Sequence, residues 1–335
     1  MTPAPDASPA PAPRGIRRVA PAFLLYFLSP FVAELLLGDF SLDAAWIIFI
    51  VGPAYGGGAL VVREVSRRLG AGWATMLLLA LAYGLFEEGI LIQTLFNPNY
   101  LGLHLLRHGF VPALGISAWW TPFVLTLHTC WSISVPIALV EALFAERRTT
   151  PWLGNFGLGV SGFLLLAGGV FMHAITRKQD PFAASNLQLV STWVAIGLVV
   201  FLALRSRSSA ARSPGTVPTP WVTGLVALLW GLAFMNANKV VQGWPLAGVQ
   251  IALDVVAVAL LLACGRRAAW TPSHVIAAAG GAMLAYAING FPQEPVAGSK
   301  GMIDLIGNTL FAAIAVALLM LAVRKERSLE ASSKP

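Results

Sequence analysis

The stretch Tyr83-Gly84-Leu85-Phe86-Glu87-Glu88-Gly89-Ile90 places two adjacent carboxylates inside a long apolar run. The surrounding segment, Ala71 to Phe96, otherwise has the length and composition of a transmembrane helix, since a span needs roughly 20 mostly apolar residues. Each acidic side chain at that depth costs on the order of 2.5–3.5 kcal/mol on insertion scales. We therefore expect the pair to face a bundle interior, as a site of catalysis, ion or proton handling, or substrate binding. A protonated pair hydrogen-bonded between helices is the structural alternative.

Composition places the whole chain in a membrane. Of its 335 residues, 57% are hydrophobic and only 11% are charged, and the mean hydropathy is +0.74. Soluble domains carry roughly 25% charged residues. The excess of Arg over Lys, together with abundant Ala, Gly and Pro, favours a bacterial source and hence the plasma membrane. Cys130 and Cys264 both fall in predicted spans and are expected to be lone thiols.

The apolar runs predict an all-α, polytopic transmembrane helix bundle. Residues 1–18 predict a disordered Pro/Ala-rich cytoplasmic tail, residues 19–323 the transmembrane domain with its site core at 71–178, and residues 324–335 a cytoplasmic tail. The ten predicted spans are about Val19–Leu37, Ala44–Val62, Ala71–Phe96, Ala118–Phe144, Leu153–Ala174, Leu187–Leu204, Trp221–Met235, Pro245–Cys264, Trp270–Gly290 and Ile303–Val323.

The basic residues predict the orientation of these spans. With ten spans and a cytoplasmic N-terminus, 17 of the 22 Lys and Arg residues fall on the cytoplasmic side. Cytoplasmic loops carry such an excess of Lys and Arg, so both termini are expected inside. The net charge of +7 therefore orients the protein among its lipid neighbours and does not indicate nucleic-acid binding.

The second span is unusual in its small residues and its charged end. Gly52-Pro53 and Gly56–Gly58 either break this helix beside a cavity or allow close packing against its neighbours. At its inner end, Glu64 is expected to pair with Arg68, four residues on, in a solvated helix terminus.

His104 and His108 stand four residues apart on a segment predicted to be an interfacial helix, Leu101 to Phe110. That spacing can chelate a metal on one helix face. The Glu that completes an H-E-x-x-H pattern is missing, so we predict neither a metal site nor a cofactor.

His128 is expected at about the same depth in the membrane as the carboxylate pair. At about 1.5 Å per helical residue, Glu87 and Glu88 lie roughly 13 Å below the outer end of the third span. His128, on the fourth span, lies roughly 15 Å below the same surface, and sequential spans tend to be neighbours. Because Glu87 and Glu88 are about 100° apart on a helix, only one of them is expected to point at His128.

Further polar residues gather in the outer half of the bundle and predict a water-filled cavity that opens outward. Tyr83, Gln93, Glu34, Asn236 and Asp254 are the expected cavity or substrate-binding residues. The remaining polar residues of this outer half are His173, Asn238, Asn289, Asp304 and Asn308. A position at the interface would by itself account for His173, Asn289 and Asp304.

The Glu, Glu and His side chains together can perform acid–base chemistry. One carboxylate could take a proton from water while the other carboxylate or His128 orients that water, and the imidazole could donate to an oxyanion or a leaving amine. Such a site could hydrolyse an amide within the membrane, or it could pass protons in a transporter.

The spacing of these residues resembles the CAAX-protease and bacteriocin-processing superfamily of intramembrane glutamate peptidases. Glu87-Glu88 is followed by His128 after 40 residues and by His173 after a further 45. The superfamily motifs are Glu-Glu-x-x-x-Arg, Phe-x-x-x-His and His-x-x-x-Asn/Asp. At the corresponding motif positions this chain has Ile92, Val124 and Arg177.

The resemblance implies a metal-independent peptidase acting on a membrane-embedded peptide or protein. Glu87 or Glu88 would activate water, His128 would stabilise the transition state, and His173 would be a further catalytic residue. Two alternatives stay open. Ten spans divide into two halves of five with opposite orientation, which is typical of secondary transporters. Some members of the superfamily are non-catalytic scaffolds, in which the carboxylates would be protonated and structural.

Overall fold

The computed structural model describes residues 16–206 and 212–332. Most of the predicted N-terminal tail, and the last three residues of the predicted C-terminal tail, lie outside these ranges. Where the tails are described they are helical, since the first helix begins at Ile16 and the last one ends at Ser332.

The described chain is almost entirely helical, which confirms the all-α class. Its α-helices are α1 (Ile16–Pro30), α2 (Ile47–Arg68), α3 (Trp73–Leu85), α4 (Trp120–Leu127), α5 (Val135–Leu143), α6 (Asn155–Gln179), α7 (Asn186–Arg205), α8 (Pro220–Val240), α9 (Gly243–Gly265), α10 (Pro272–Gly290) and α11 (Met302–Ser332). π-Helical turns extend α1 (Phe31–Leu35) and α3 (Phe86–Leu91) and join α4 to α5 (His128–Ser134). Short 3₁₀ turns cover Leu42–Ala44, Tyr100–Gly102 and Ala145–Arg147, and strands β1 (Phe110–Val111) and β2 (Ile116–Ser117) form an antiparallel hairpin.

Nine helices of the described residues are long and apolar enough to cross a membrane. The helix α10 coincides with the predicted ninth span but is not among the nine. It packs against α8 and α11, and most of its residues are buried. The count of ten spans and the cytoplasmic location of both termini stay predictions.

The bundle has a buried inner set of helices and a largely exposed outer set. The window of α4 through α5 is 72% buried, whereas those of α6 to α9 are only 11–17% buried. Trp131 packs face to face on Tyr286 at 4.6 Å and on Trp230 at 5.5 Å between ring centroids. Its indole N–H donates to the Ala282 carbonyl at 2.7 Å. These stacked rings connect the π turn His128–Ser134 to α8 and α10.

The glycines of α2 serve close packing, and the helix is continuous through them. A Cβ on Gly56 would lie 2.2 Å from the Tyr26 carbonyl oxygen, and one on Gly57 would lie 2.8 Å from the Leu165 nitrogen. A Cβ on Gly58 would lie 2.3 Å from the Tyr83 ring. Small residues let membrane helices approach closely, so α1, α3 and α6 all pack on α2. Of the two interpretations of this segment, the structure supports close packing.

The inner end of α2 is buried, and the prediction of a solvated terminus is wrong. Arg63 and Glu64 are both 0% exposed and pair with each other at 2.6 Å. Glu141 accepts from Arg63 Nε at 3.1 Å and from Arg67 at 2.8 and 2.5 Å. The Arg63 guanidinium also lies 3.5 Å from the Trp152 ring centroid. Pairing with a residue four positions along the helix was the wrong expectation, because Glu64 accepts the backbone N–H groups of Trp152 and Leu153, just before α6 begins.

The segment after the third span is not an interfacial helix, which corrects that prediction. It consists of a 3₁₀ turn, a loop and the β1–β2 hairpin, with His104 in the left-handed region at φ 50°. His108 is buried against Trp119, with ring centroids 5.6 Å apart, and its Nδ1 accepts the Gly243 N–H at 3.1 Å. The two histidines therefore do not share a helix face.

Candidate functional site

Each of the three π-helical turns of the described chain carries titratable side chains of one cluster. Glu34 lies in the turn after α1, Glu87 and Glu88 lie in the turn after α3, and His128 is the first residue of the turn after α4. A π turn inserts an additional residue into a helix and is frequent at functional sites. In the second turn, the Ile92 N–H donates to the Glu87 carbonyl at 2.8 Å, in the i→i+5 pattern.

His128 lies between the two glutamates. Its Nε2 is 2.8 Å from Glu88 Oε1, and its Nδ1 is 3.1 Å from Glu87 Oε2. All three side chains are buried, with at most 6% of any residue exposed. Both carboxylates face His128, which corrects the expectation that only one would do so. That expectation assumed α-helical geometry, whereas the pair lies in a π turn.

Glu88 is held at both of its oxygens. The hydroxyl of buried Thr94 donates to Glu88 Oε2, and the Trp120 indole N–H donates to the Thr94 hydroxyl at 3.1 Å. The other oxygen, Oε1, faces His128. This chain of contacts fixes the carboxylate and, through it, the Nε2 edge of the imidazole.

Glu87 keeps unused bonding capacity. Its Oε2 is close to His128 Nδ1, but neither carboxylate oxygen has a partner with good hydrogen-bond geometry. The neighbouring Tyr83 hydroxyl interacts with Glu87 and is likewise without a well-aligned partner. Buried polar groups of native proteins are nearly always hydrogen-bonded. Glu87 and Tyr83 are therefore the groups of this cluster that have capacity for a further hydrogen-bond partner.

His128 has polar neighbours at both edges of its ring. Nε2 faces Glu88 Oε1 at 2.8 Å, while Nδ1 lies 3.1 Å from Glu87 Oε2 and 3.3 Å from the Ser132 hydroxyl. A neutral imidazole can donate from only one nitrogen, whereas an imidazolium can donate from both. A proton on either ring nitrogen therefore faces a carboxylate oxygen.

Two tyrosine rings and Glu34 enclose the cluster. Tyr55 packs nearly parallel to the imidazole, at 6.0 Å between centroids and 24° between planes, and Tyr83 packs edge-on at 6.1 Å. The Tyr55 hydroxyl hydrogen-bonds Glu34, and Glu34 interacts electrostatically with Glu87 and His128. Of the residues predicted to line a cavity, the structure brings Glu34 and Tyr83 to the Glu pair.

His173 and Gln93 lie apart from the imidazole, beside the end of the second π turn. His173 Nδ1 is 2.5 Å from the Leu91 carbonyl oxygen. Gln93 adopts φ 64°, and its side-chain oxygen accepts the Ala184 N–H at 2.8 Å. Through these contacts, both residues stabilise the backbone at and after the end of the second π turn.

The remaining predicted residues lie elsewhere in the bundle. Asn236 donates to Asn289 Oδ1 at 2.9 Å and so links α8 to α10. Asp254 interacts with Thr126, on the strip of α4 that faces α9, and not with the Glu pair. Asn308 donates to the Gly290 carbonyl at 3.0 Å. The outer polar residues therefore do not converge on one cavity.

An apolar cleft between helices lies on the other side of Tyr83 from the cluster. It has a volume of about 290 Å³ and lies between α2, α3, α6 and α7. Tyr83 forms part of its wall, as do Gly58, Phe86 and Trp193. The cleft therefore contacts the cluster only through Tyr83, and the outward-opening cavity stays a prediction.

Sequence reasoning missed three residues of this site. Tyr55 carries no spacing signal that separates it from a packing aromatic, and Trp120 resembles an interface anchor. Thr94 stands six residues after Glu88, a separation that only the π turn and the bend after it bring into contact. In the described part of the chain, no group of three or more His, Cys, Asp and Glu residues has the arrangement of a metal site.

These features define an α-helical membrane protein with several long apolar helices and a buried carboxylate–imidazole cluster. The chain belongs to an uncharacterized membrane protein family, whose family model matches residues 23–329. No curated protein matches it significantly, and neither does any solved structure. The match gives no link to the CAAX-protease superfamily, so that resemblance remains a hypothesis. A plasma-membrane location and a bacterial source likewise stay predictions.

Proposed function

We propose that this protein is an intramembrane glutamate peptidase that acts on a membrane-embedded peptide or protein. The observation that carries the proposal is the arrangement of Glu87 and Glu88 on the two edges of His128. A fixed carboxylate, an imidazole and a second carboxylate with free bonding capacity are the parts that general acid–base hydrolysis requires. The resemblance in residue order supports the same reaction and implies that no metal takes part.

The contacts suggest a division of labour. Glu87 takes a proton from a water molecule as the water oxygen bonds to the substrate carbonyl carbon. The Tyr83 hydroxyl, beside Glu87, donates to the developing oxyanion. As the C–N bond breaks, His128 gives the Nδ1 proton to the leaving amine, and the proton on Glu87 restores it. Glu88 keeps the imidazole in place throughout. One water molecule is consumed for each amide cleaved.

The apolar cleft accounts for substrate access. It lies between buried α2 and α3 and exposed α6 and α7, so a hydrophobic segment can enter sideways from the membrane without crossing an aqueous surface. Its wall ends at Tyr83, the residue that we assign to the oxyanion. This supports a substrate embedded in the membrane over a soluble one.

Cleavage of quenched fluorescent hydrophobic peptides in proteoliposomes tests the proposal. We expect Glu87→Gln to abolish cleavage and Glu88→Gln to lower it by roughly 10²-fold, since one positioned acid–base group contributes about 10²–10⁴-fold. Glu294→Gln, which alters an exposed glutamate paired with Lys300, is the matched control and should cleave normally. Cleavage that survives in a Glu87→Gln/Glu88→Gln double variant, or no cleavage by the natural protein, would refute the proposal.

Proton-coupled transport is the second candidate function. Two polar residues on one face of α9, separate from the Glu pair, favour it. Gln250 is 0% exposed with both side-chain polar atoms unpartnered, and Asp254 follows one turn later on the same face of α9. Solute uptake that depends on a pH gradient and is lost in Asp254→Asn would favour transport. A non-catalytic scaffold would instead keep its function in both glutamine variants and change only in stability.

A further inference from the structure

We propose that Asp39, Glu34 and Tyr55 form a proton-transfer route between the Glu87–His128–Glu88 cluster and the aqueous surface at the α1–α2 turn. The route concerns how the buried cluster exchanges protons with water. It is independent of whether the cluster hydrolyses a peptide bond, so either proposal can fail without the other.

The inner part of the route consists of Glu34 and Tyr55, which link the first π turn to the cluster. The Tyr55 hydroxyl hydrogen-bonds the Glu34 carboxylate, while the Tyr55 ring packs on the His128 imidazole at 6.0 Å. Tyr55 is only 5% exposed, and it also lies within electrostatic range of Glu87. Its hydroxyl therefore interacts with both the Glu34 carboxylate and Glu87, the carboxylate that has unused bonding capacity.

The outer part of the route reaches solvent at Asp39. This residue follows the first π turn, and its N–H donates to the Glu34 carbonyl at 3.1 Å. Its carboxylate is half-buried and accepts from exposed Gln293 at 3.2 Å, and its carbonyl accepts the Val296 N–H at 2.8 Å. Burial raises the pKa of Asp39 to about 7, so this carboxyl group gains and loses a proton near neutral pH.

Proton transfer along the route is balanced at each step. A proton from water binds the Asp39 carboxylate and passes to the Glu34 carboxylate. The Tyr55 hydroxyl then takes the proton from Glu34 as it gives its own proton to Glu87, and the reverse sequence returns it to water. The other titratable groups that face Glu34 or Tyr55 are Tyr83 from α3, His128 from the third π turn and Tyr286 from α10.

The direction from His128 along α5 is less suited to proton transfer. The next acidic residue along the chain from His128 is Glu141, about 20 Å away at the rise of a helix. It is already paired with Arg63 and Arg67. Between them lies the apolar packing around Trp131, which is 0% exposed. The described groups along α5 therefore offer no relay from His128 comparable with Tyr55 and Glu34.

Hydrogen–deuterium exchange of the cluster, followed by time-resolved infrared spectroscopy after mixing with D₂O, tests the route. The carboxyl and carboxylate bands that disappear in Glu87→Gln identify the cluster. We expect Glu34→Gln and Tyr55→Phe each to slow exchange of these bands by about tenfold or more, by analogy with the loss of one positioned proton-transfer group.

Two controls keep the test decisive. Glu294→Gln removes an exposed carboxylate near the same surface and should exchange at the natural rate. Tyr55→Phe keeps the ring that packs on His128, so it carries the test if Glu34→Gln does not fold. Exchange at the natural rate in a folded Tyr55→Phe or Glu34→Gln variant would overturn the route.

Discussion

Replacing Glu141 by Gln tests how the buried ionic network at the inner end of α2 contributes to stability. The Glu141 carboxylate accepts three N–H groups from two guanidinium groups, at 3.1, 2.8 and 2.5 Å. The substitution keeps the shape but removes the charge, and it turns an amide N–H toward a guanidinium donor. Arg63, which is fully buried, is left with Glu64 as its remaining anionic partner. Breaking a buried ion pair costs about 3–5 kcal/mol, and we expect a loss in that range.

Reversible unfolding in mixed micelles, titrated with sodium dodecyl sulfate, measures this loss as a change in the free energy of unfolding. The matched control is Glu146→Gln, on the neighbouring 3₁₀ turn. Its side chain is 57% exposed and pairs with Lys325, and exposed pairs contribute about 0–1 kcal/mol. If Glu141→Gln changed stability no more than the control does, the network would not stabilise the bundle, and our reasoning about buried charge would be refuted.

Three further predictions concern single sites. Replacing Gln250 by Leu should stabilise the bundle by about 1–3 kcal/mol in the same unfolding assay, because it removes an unpartnered buried amide. A loss of stability would show that the amide forms a stabilising hydrogen bond. Serine hydrogen bonds lower the pKa of Asp43 to about 2, so its contribution is present above the unfolded pKa of about 3.9 and is lost as the pH falls toward 2. The stability difference between Asp43→Asn and the natural protein should therefore shrink over that interval, and a constant difference would contradict this. Gly58→Ala should destabilise by about 1–3 kcal/mol and displace Tyr83, whereas Gly197→Ala, with open space around it, should not; equal unfolding midpoints would count against the close contact.

The membrane-protein class and the helical architecture could be predicted from the sequence, because they depend on composition and on the length of the apolar segments. A 57% hydrophobic chain with long apolar runs has few structural options, and the described helices follow those runs closely. Depth along sequential helices was enough to place Glu87, Glu88 and His128 together. These inferences need only the helical rise and the cost of charge in lipid.

The finer geometry depends on contacts that are distant in sequence. Nothing local distinguishes a π turn from an α turn, so neither the double contact of His128 nor the role of Thr94 could be foreseen. Glu64 was assigned a partner on its own helix, yet its true partners include the backbone of residues 152 and 153. A bundle creates such partners only once its helices are packed.

Because the cluster lies in three π turns, its geometry depends on the number of residues in each turn as well as on which residues they are. Each turn holds one residue more than an α-helical turn would. Removing Phe86 alone would move Glu87 and Glu88 back by one position, or about 100° about the axis of α3, while every cluster side chain remained in the sequence. Such a deletion would erase the site without altering one of its functional groups. In related chains, insertions and deletions inside these turns are therefore as informative as substitutions of the glutamates themselves.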